Sequence, residues 1–300
     1  MQGFNITAVE RDTGLSKDLL RMWERRYGFP SPQRDQHGER VYSTAEVERL
    51  RLIKRLIDRG FRPGKLLSTA PESLLTLLNE TTAPPAANLL SDWNGHLELL
   101  RQGDLGGLRN ALQQQIMRQG LQGFVLDTAV PLTVAVGEAW MQGQIRVHEE
   151  HAYSELLKSL LRQAMAILGD RGSPILLLTT VPEEEHGLGL LMAEVLFMLE
   201  GAQCISLGTR TPLLDIADAA HQHGVDCVGL SFSASFPPRQ AAIQLKELRQ
   251  LLPEQTGLWI GGAGSERILL PEGIERGIGP HGPADLIAAW RHRQPSVHST

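Results

Sequence analysis

The 300-residue sequence predicts a multidomain α and α/β protein, with an N-terminal winged helix-turn-helix, a central four-helix bundle and a C-terminal doubly wound parallel sheet. Three observations predict this order. Two short amphipathic segments joined by a tight turn open the chain, and a long stretch with helical but few strand signals follows. From Ser173 onward, apolar runs alternate with helical patterns, as in parallel sheets. We predict domains at residues 1–75, 91–170 and 171–300, with a linker at 76–90.

The N-terminal segments have the signals of two helices. A short helix is predicted at residues 5–13, and it ends at Gly14. Ser16 is a good N-cap, because its hydroxyl can accept a hydrogen bond from a free N–H of the next helix. That helix is predicted at 17–27, with an apolar stripe on one side, and Gly28 stops it. Two helices joined this tightly form a helix-turn-helix, whose second helix can enter the major groove of DNA.

A two-stranded wing is predicted at residues 30–42, with its turn around Gln36-His37-Gly38. A strongly amphipathic helix is predicted from Thr44 to Arg59. Basic side chains on the second helix and on the wing are positioned to contact DNA bases or phosphates. The predicted DNA-binding residues are Lys17, Arg21, Arg25, Arg26, Tyr27, Arg34 and Arg40.

Charge is distributed unevenly along the chain. Residues 1–70 contain 14 Lys+Arg and 9 Asp+Glu, a net charge of +5, so the remainder of a chain with net charge −5 has −10. A basic head on an acidic body indicates that only the head meets a polyanion.

Cys204 and Cys227 lie in predicted strands and indicate neither disulfides nor a zinc site, so we expect a cytoplasmic protein. No apolar run approaches the ~20 residues of a membrane helix, and we expect no membrane partner.

The segment Trp23-Glu24-Arg25-Arg26-Tyr27-Gly28, with the wing and helix that follow it, resembles the MerR family of bacterial transcription regulators over residues 5–75. The resemblance implies a dimer that binds palindromic promoter DNA, with a dimerising helix C-terminal to residue 60. It also implies a nucleoid-associated regulator that is not an enzyme. The alternative is a small helical domain with a solvated basic face.

A hinge is predicted at residues 69–90, which contain Pro71, Thr81-Thr82 and Pro84-Pro85. Four helices are predicted after it, and their short connections indicate an up-down bundle. The helices contain Leu97–Leu100, Leu105–Ile116, Leu121–Val136 and Glu149–Leu168, with loops at Gly103, Gly120 and Gly143.

In the bundle, Trp140 is followed after nine residues by Glu150-His151. This spacing resembles the cap of the light-dependent CarH/LitR-type photoreceptor regulators. The resemblance implies that Trp140 packs where the 5′-deoxyadenosyl group of adenosylcobalamin sits, and that Glu150 and His151 hydrogen-bond nearby. Met141 stands where well-known members carry a cobalt-binding histidine. A thioether is a weaker ligand for Co(III) than an imidazole, so the resemblance does not imply a stable bis-histidine light product here. The alternative is a core tryptophan and an acidic pair at a helix N-terminus.

The C-terminal domain, residues 171–300, alternates predicted strands and helices. Ligands bind such sheets at the carboxyl ends of the strands, near the switch in strand order. The predicted strands are 175–180, 204–208, 227–233 and 258–261, and the predicted helices are 188–200, 213–223 and 239–252.

Three motifs follow these predicted strands: Glu184-x-His186-x-x-Gly189, Ser231-Phe232-Ser233 and Gly261-Gly262. An acidic residue two positions before a histidine can bind one ring nitrogen and leave the other for a metal. The three motifs together resemble Rossmann-like cobalamin-binding modules.

That resemblance implies cobalamin bound through His186 on cobalt, with Glu184 orienting the imidazole. Ser231 is expected to hydrogen-bond the buried nucleotide tail, Gly261-Gly262 to give the tail room, and Leu207-Gly208-Thr209 to line the same channel.

The motifs together predict a DNA-binding transcription regulator, a repressor that binds adenosylcobalamin. In the dark it is expected to form a tetramer on promoter DNA. Light is expected to cleave the Co–C bond, break the oligomer and release the promoter. Two alternatives stay open: a light-independent cobalamin-sensing regulator, and a corrinoid-carrying methyltransferase module.

Overall fold

The computed structural model describes residues 3–13, 15–36, 38–58, 61, 63–80, 89–169, 172–279 and 281–293. The chain divides into two compact units, Met1–Leu160 and Leu161–Thr300.

The N-terminal head has the predicted helix-turn-helix and wing. A three-stranded antiparallel sheet has the order β1-β3-β2, and three helices pack with it. The elements are β1 Phe4–Asn5, α1 Ile6–Thr13, α2 Lys17–Tyr27, β2 Gln33–Arg34, β3 Arg40–Tyr42 and α3 Thr44–Asp58. Strand β1 was not predicted, because two residues are too few to show a period-2 pattern.

The caps of α2 lie where the sequence predicts them. Ser16 accepts a hydrogen bond from the Leu19 backbone N–H, and Gly28 ends the helix in the left-handed region at φ 68°. Trp23 and Leu20, on the inner face of α2, are buried in the core of the head. The predicted helix stop at Gly14 and turn residue His37 lie outside the described residues.

Two short helices follow the head, α4 Pro63–Leu67 and α5 Pro71–Glu80. The predicted hinge was wrong for 71–80, because Pro71 occupies the first helical position, where a missing N–H costs nothing. Leu66, Leu67 and Leu74 are buried in the core of the head. The dimerising helix expected C-terminal to residue 60 stays a prediction. The rest of the predicted hinge, 81–88, lies outside the described residues.

The bundle helices are α6 Leu89–Arg101, α7 Leu105–Phe124, α8 Val130–Met141 and α9 Val147–Met165, with a π-helical turn at Val125–Ala129 between α7 and α8. The predicted loop at Gly120 is instead a kink inside α7, with φ 71° and ψ 172°. At this kink a Cβ on Gly120 would lie 2.0 Å from the carbonyl oxygen of Asp12 in α1. The glycine therefore lets α7 approach the backbone of the head.

One helical stretch, Leu105–Met141, is long and apolar enough to cross a membrane by length and composition alone. In its most apolar window, 61% of the residues are buried inside the structure, as in the core helix of a soluble protein.

The C-terminal unit is a five-stranded parallel sheet in the order β5-β4-β6-β7-β8. This confirms the doubly wound fold, and its strand order reverses between β4 and β6. The strands are β4 Ile175–Thr179, β5 Gln203–Gly208, β6 Cys227–Ser231, β7 Gly257–Gly261 and β8 Glu275–Arg276. The helices are α10 Leu188–Leu199, α11 Leu213–His223, α12 Pro238–Leu251 and α13 Gly282–Arg293.

Both faces of this sheet are covered, which explains why its central strands are apolar at consecutive positions. Leu177 and Val228 pack into the core on one face, and Leu176 and Trp259 into the core on the other. Cys227 is fully buried, and burial raises the pKa of its thiol to about 12, so it behaves as a core residue.

Candidate functional site

The loop between β4 and α10 presents His186 to solvent. The His186 side chain is 60% exposed, whereas Glu184 is 1% exposed. The His186 Nδ1 lies 2.7 Å from Glu184 Oε1, and the backbone N–H of His186 donates to the same oxygen at 3.0 Å. A carboxylate on Nδ1–H fixes the tautomer in which Nε2 carries the free lone pair. The loop therefore offers one oriented nitrogen ligand.

The other carboxylate oxygen of Glu184 is held by the segment after β6. Ser233 donates to Glu184 Oε2 from its backbone N–H at 2.8 Å and from its hydroxyl at 2.7 Å. Burial alone would raise the pKa of Glu184, but the hydrogen bonds from Ser233 and His186 outweigh it and lower the pKa. Glu184 is thus an ionised, fully hydrogen-bonded group that joins two loops at the switch point.

Thr180, the first residue after β4, supports the His186 loop and was missed by sequence reasoning. Its hydroxyl donates to the Glu184 carbonyl and accepts the Arg210 N–H at 2.9 Å. Arg210 has a positive φ of 63°, which is uncommon for a residue with a side chain. In the same loop, the Thr209 methyl lies 3.1 Å from a Cβ built on Gly187. The signal in the sequence is a hydroxyl directly after a buried strand, which is too common to assign a role.

The predicted glycines line the space beside this loop. A Cβ on Gly189 would lie 3.4 Å from the hydroxyl of Ser231, which is buried at the end of β6. Gly262 has φ 90°, and a Cβ there would lie 2.4 Å from the Phe232 carbonyl. At Gly261 a Cβ would meet no atom of the described chain within 4 Å. At the carboxyl edge of the sheet, room for a side chain is therefore present beside Gly261, whereas Gly189 and Gly262 lie close to their neighbours.

The predicted cap residues lie on the surface of the first unit. Trp140 and Met141 end α8 with exposures of 49% and 72%. Exposure of the indole argues against the alternative of a core tryptophan. In the first turn of α9, Glu150 lies 2.6 Å from His151 Nδ1 and accepts from the Ser154 hydroxyl at 2.7 Å.

The predicted DNA-binding residues of α2 form an exposed basic face. Arg21, Arg25, Arg26 and Tyr27 are all exposed, and the Arg26 guanidinium lies 5.3 Å from the centre of the Tyr27 ring. Lys17, at the start of the helix, lies 3.4 Å from Glu10.

The two predicted arginines of the wing make contacts within the head. Arg34 donates to the Gly38 carbonyl at 2.7 Å, which closes the wing turn. Arg40 Nε donates to Glu24 Oε2 at 2.8 Å, and this hydrogen bond raises the pKa of the guanidinium. Glu24 belongs to α2, so Arg40 joins the wing to the second helix.

The family described as "MerR HTH family regulatory protein" matches residues 4–66, and the family described as "B12 binding domain" matches residues 94–168. The first range covers the helix-turn-helix and wing. The second range covers most of the helical bundle.

Two curated relatives are similar over most of their length. The "HTH-type transcriptional repressor CarH" of Myxococcus xanthus is 31% identical over 271 residues, which are 87% of this chain and 89% of that protein. The "HTH-type transcriptional repressor CarA" of the same organism is 30% identical over 269 residues, 88% of each chain. Coverage this complete includes parts of all three predicted domains.

Among solved structures, the monomethylamine corrinoid protein of Methanosarcina barkeri is 14% identical, with a TM-score of 0.44 over 64% of this chain and 94% of that chain. The sequence relatives are therefore the basis for assigning a family.

Proposed function

Because this chain belongs to the family of MerR-type transcriptional repressors with a B12-binding domain, together with CarH and CarA, we propose that it represses promoters in the dark and releases them in light. It is a DNA-binding regulator, and we assign it no enzyme activity. We propose adenosylcobalamin as its cofactor, and the bacterial cytoplasm, where promoter DNA lies, as its location.

The observation that supports cobalamin best is the hydrogen-bonded Glu184 and the exposed imidazole of His186. A corrin ring brings four nitrogen ligands of its own, so a single protein ligand is sufficient. Among the described residues, no cluster of three or more His, Cys, Asp or Glu side chains could hold a bare ion. His186 Nε2 is free to bind cobalt, and Gly261 leaves room beside the strand end, because a Cβ built on it meets no described atom within 4 Å. The residues therefore fit this cofactor.

When bound, adenosylcobalamin supplies a cobalt–carbon bond that light can break. We assign Trp140 to shield the upper ligand, and Glu150 with His151 to hydrogen-bond it. The exposure of Trp140 and His151 supports the assignment, because side chains already packed in a core would not be free to bind. Met141 offers an exposed thioether beside Trp140, a weaker ligand for Co(III) than an imidazole.

Within the first unit, the predicted cap residues and the DNA-binding head are connected by one run of helix. Trp140 ends α8, which continues from α7 through the π-helical turn, and α7 contacts α1 of the head at Gly120. A displacement of α8 would therefore reach the head through packed backbone. We propose that the helices of this connection adopt two arrangements, one in a tetramer in the dark and one after the tetramer dissociates. The two arrangements would differ in affinity for the promoter.

A light-independent cobalamin sensor is the second candidate, and Met141 in place of a histidine favours it. The same DNA-binding head and the same His186 ligand serve both candidates. The two differ only in whether illumination changes the assembly and its promoter binding.

His186→Ala tests the cofactor proposal directly. In the purified full chain, we expect this change to weaken adenosylcobalamin retention at least about tenfold, because cobalt loses its protein ligand. The visible spectrum should shift to that of base-off cobalt without an imidazole. His221→Ala, an exposed histidine in α11, is the matched control and should leave both unchanged. Wild-type retention and spectrum in His186→Ala would remove His186 as the ligand.

A further inference from the structure

We propose that Glu24 and Arg40 form a strut that sets the wing against the recognition helix α2, so that Arg40 positions the wing instead of contacting phosphate. The proposal rests on DNA binding by the head. It assigns a carboxylate on the DNA-binding helix a role in recognition, although its charge opposes the charge of DNA.

The geometry of the strut is specific. Glu24 follows the buried Trp23 in α2, and Arg40 begins β3, the central strand of the head's small sheet. The two side chains are only 27% and 25% exposed, and Nε and Oε2 lie 2.8 Å apart. A charge-assisted hydrogen bond of this length, partly shielded from water, is stronger than a solvated surface pair.

The wing needs such a connection. Strands β2 and β3 have two and three residues, and a ribbon this short is marginal by itself. Tyr42 anchors the far end of β3 in the core, whereas the described residues of the turn, Asp35, Gln36, Gly38 and Glu39, are exposed. Arg40 pairs with Arg34 across the ribbon, so a contact at Arg40 fixes the ribbon next to its turn.

The direction in which Glu24→Gln changes DNA affinity distinguishes a positioning role from simple charge repulsion. A carboxylate near phosphates repels them, so Glu24→Gln should strengthen DNA binding if charge were its only influence. If Glu24 positions the wing, the same change should weaken binding. Arg40→Gln also distinguishes the roles, because a lost phosphate contact reduces the salt dependence of log K by about one unit and a lost strut does not.

The experiment uses the full chain and a duplex of about 30 base pairs that the wild-type protein enriches from a random-sequence pool. That length spans the two half-sites of a dimer, about one helical turn apart. Affinity is measured across a salt series, with thermal unfolding as the folding control. Arg25→Ala is the control for a phosphate contact, and Glu39→Gln removes an exposed wing carboxylate one residue from Arg40. If the wild-type protein enriches no duplex, the DNA-binding premise fails and not the strut.

We expect Glu24→Gln and Arg40→Gln each to weaken binding about tenfold with an unchanged salt slope, a difference of about 1.4 kcal/mol. The double variant should lose no more than either single variant, because both remove one interaction. Arg25→Ala should flatten the slope by about two units, one for each protomer of the dimer, and Glu39→Gln should bind at least as well as wild type.

The opposite pattern overturns the proposal: stronger binding by Glu24→Gln, or a flatter salt slope for Arg40→Gln. If a glutamine variant unfolds, Arg40→Lys keeps the charge and removes the Nε donor. We expect the same tenfold loss for Arg40→Lys, and wild-type affinity there would equally refute the strut.

Discussion

At the scale of single residues, Glu184 joins the parts of the proposed cobalt site. The sequence predicts its contact with His186, because a separation of two residues in a loop allows few geometries. The contact with Ser233 spans 49 residues and depends on the pairing of β4 with β6. The sequence predicts Ser233 as a cofactor-binding residue, but its hydrogen bonds to Glu184 could not be predicted before the strands were in register.

Ser233→Ala tests whether this positioning matters. The change removes the hydroxyl donor to Glu184 and leaves the backbone donor, so we expect adenosylcobalamin affinity to fall about tenfold. Affinity is measured by absorbance titration. Ser235→Ala is the matched control, because its hydroxyl contacts Ser233 and not Glu184. Equal affinities for wild type and Ser233→Ala would show that Glu184 needs no support from β6.

The same variant has a pH signature in the cofactor-free protein. The pKa of Glu184 is lowered in the folded chain, so its stabilising effect is complete above the unfolded pKa and is lost as pH falls through the folded pKa. With one hydrogen bond fewer, the folded pKa should lie closer to its usual value. On acidification, Ser233→Ala should therefore lose less stability than the wild-type protein between the unfolded and folded pKa values, and its loss should be complete at a higher pH.

At the scale of elements, hydrophobic periodicity predicted the helices and strands of the sheet domain and the head closely. Periodicity gave the wrong structure where one residue type is compatible with two conformations. Gly120 indicated a loop because glycine interrupts helical patterns, yet the structure uses it for a kink that touches α1. Strand β8 was missed because it is only two residues long, and α13 because its sequence has little apolar periodicity.

Gly120→Ala tests the contact between α7 and the head. An alanine there would place its Cβ against the Asp12 carbonyl and would have to adopt a positive φ. We therefore expect a loss of roughly 1–3 kcal/mol or more in the free energy of unfolding. Urea unfolding of the cofactor-free chain measures this loss.

Gly137→Ala is the matched control for that measurement. A Cβ on Gly137 in α8 meets no described atom within 4 Å, and alanine is the better helix former by about 1 kcal/mol. It should leave stability unchanged or raise it. Equal effects of the two substitutions would contradict a close approach at Gly120.

At the scale of the whole molecule, the order of the motifs predicted more than any one of them. A basic helix-turn-helix, a helical cap with Trp140 and three strand-end motifs indicated a cobalamin-dependent regulator, and the similarity to CarH and CarA supports the same class. Assembly was not predictable in the same way. The dimerising helix expected C-terminal to residue 60 stays a prediction; between residues 63 and 80, Leu66, Leu67 and Leu74 are buried in the head's own core.

The central claim is that light controls the assembly of a cobalamin-bound repressor. Its most direct test records the visible spectrum and the size-exclusion profile of the full chain with adenosylcobalamin, in the dark and after green light. We expect a cobalamin-bound tetramer in the dark that becomes smaller on illumination while its spectrum changes. Cobalamin binding with no change of size in light would contradict the claim and leave a cobalamin sensor that does not respond to light.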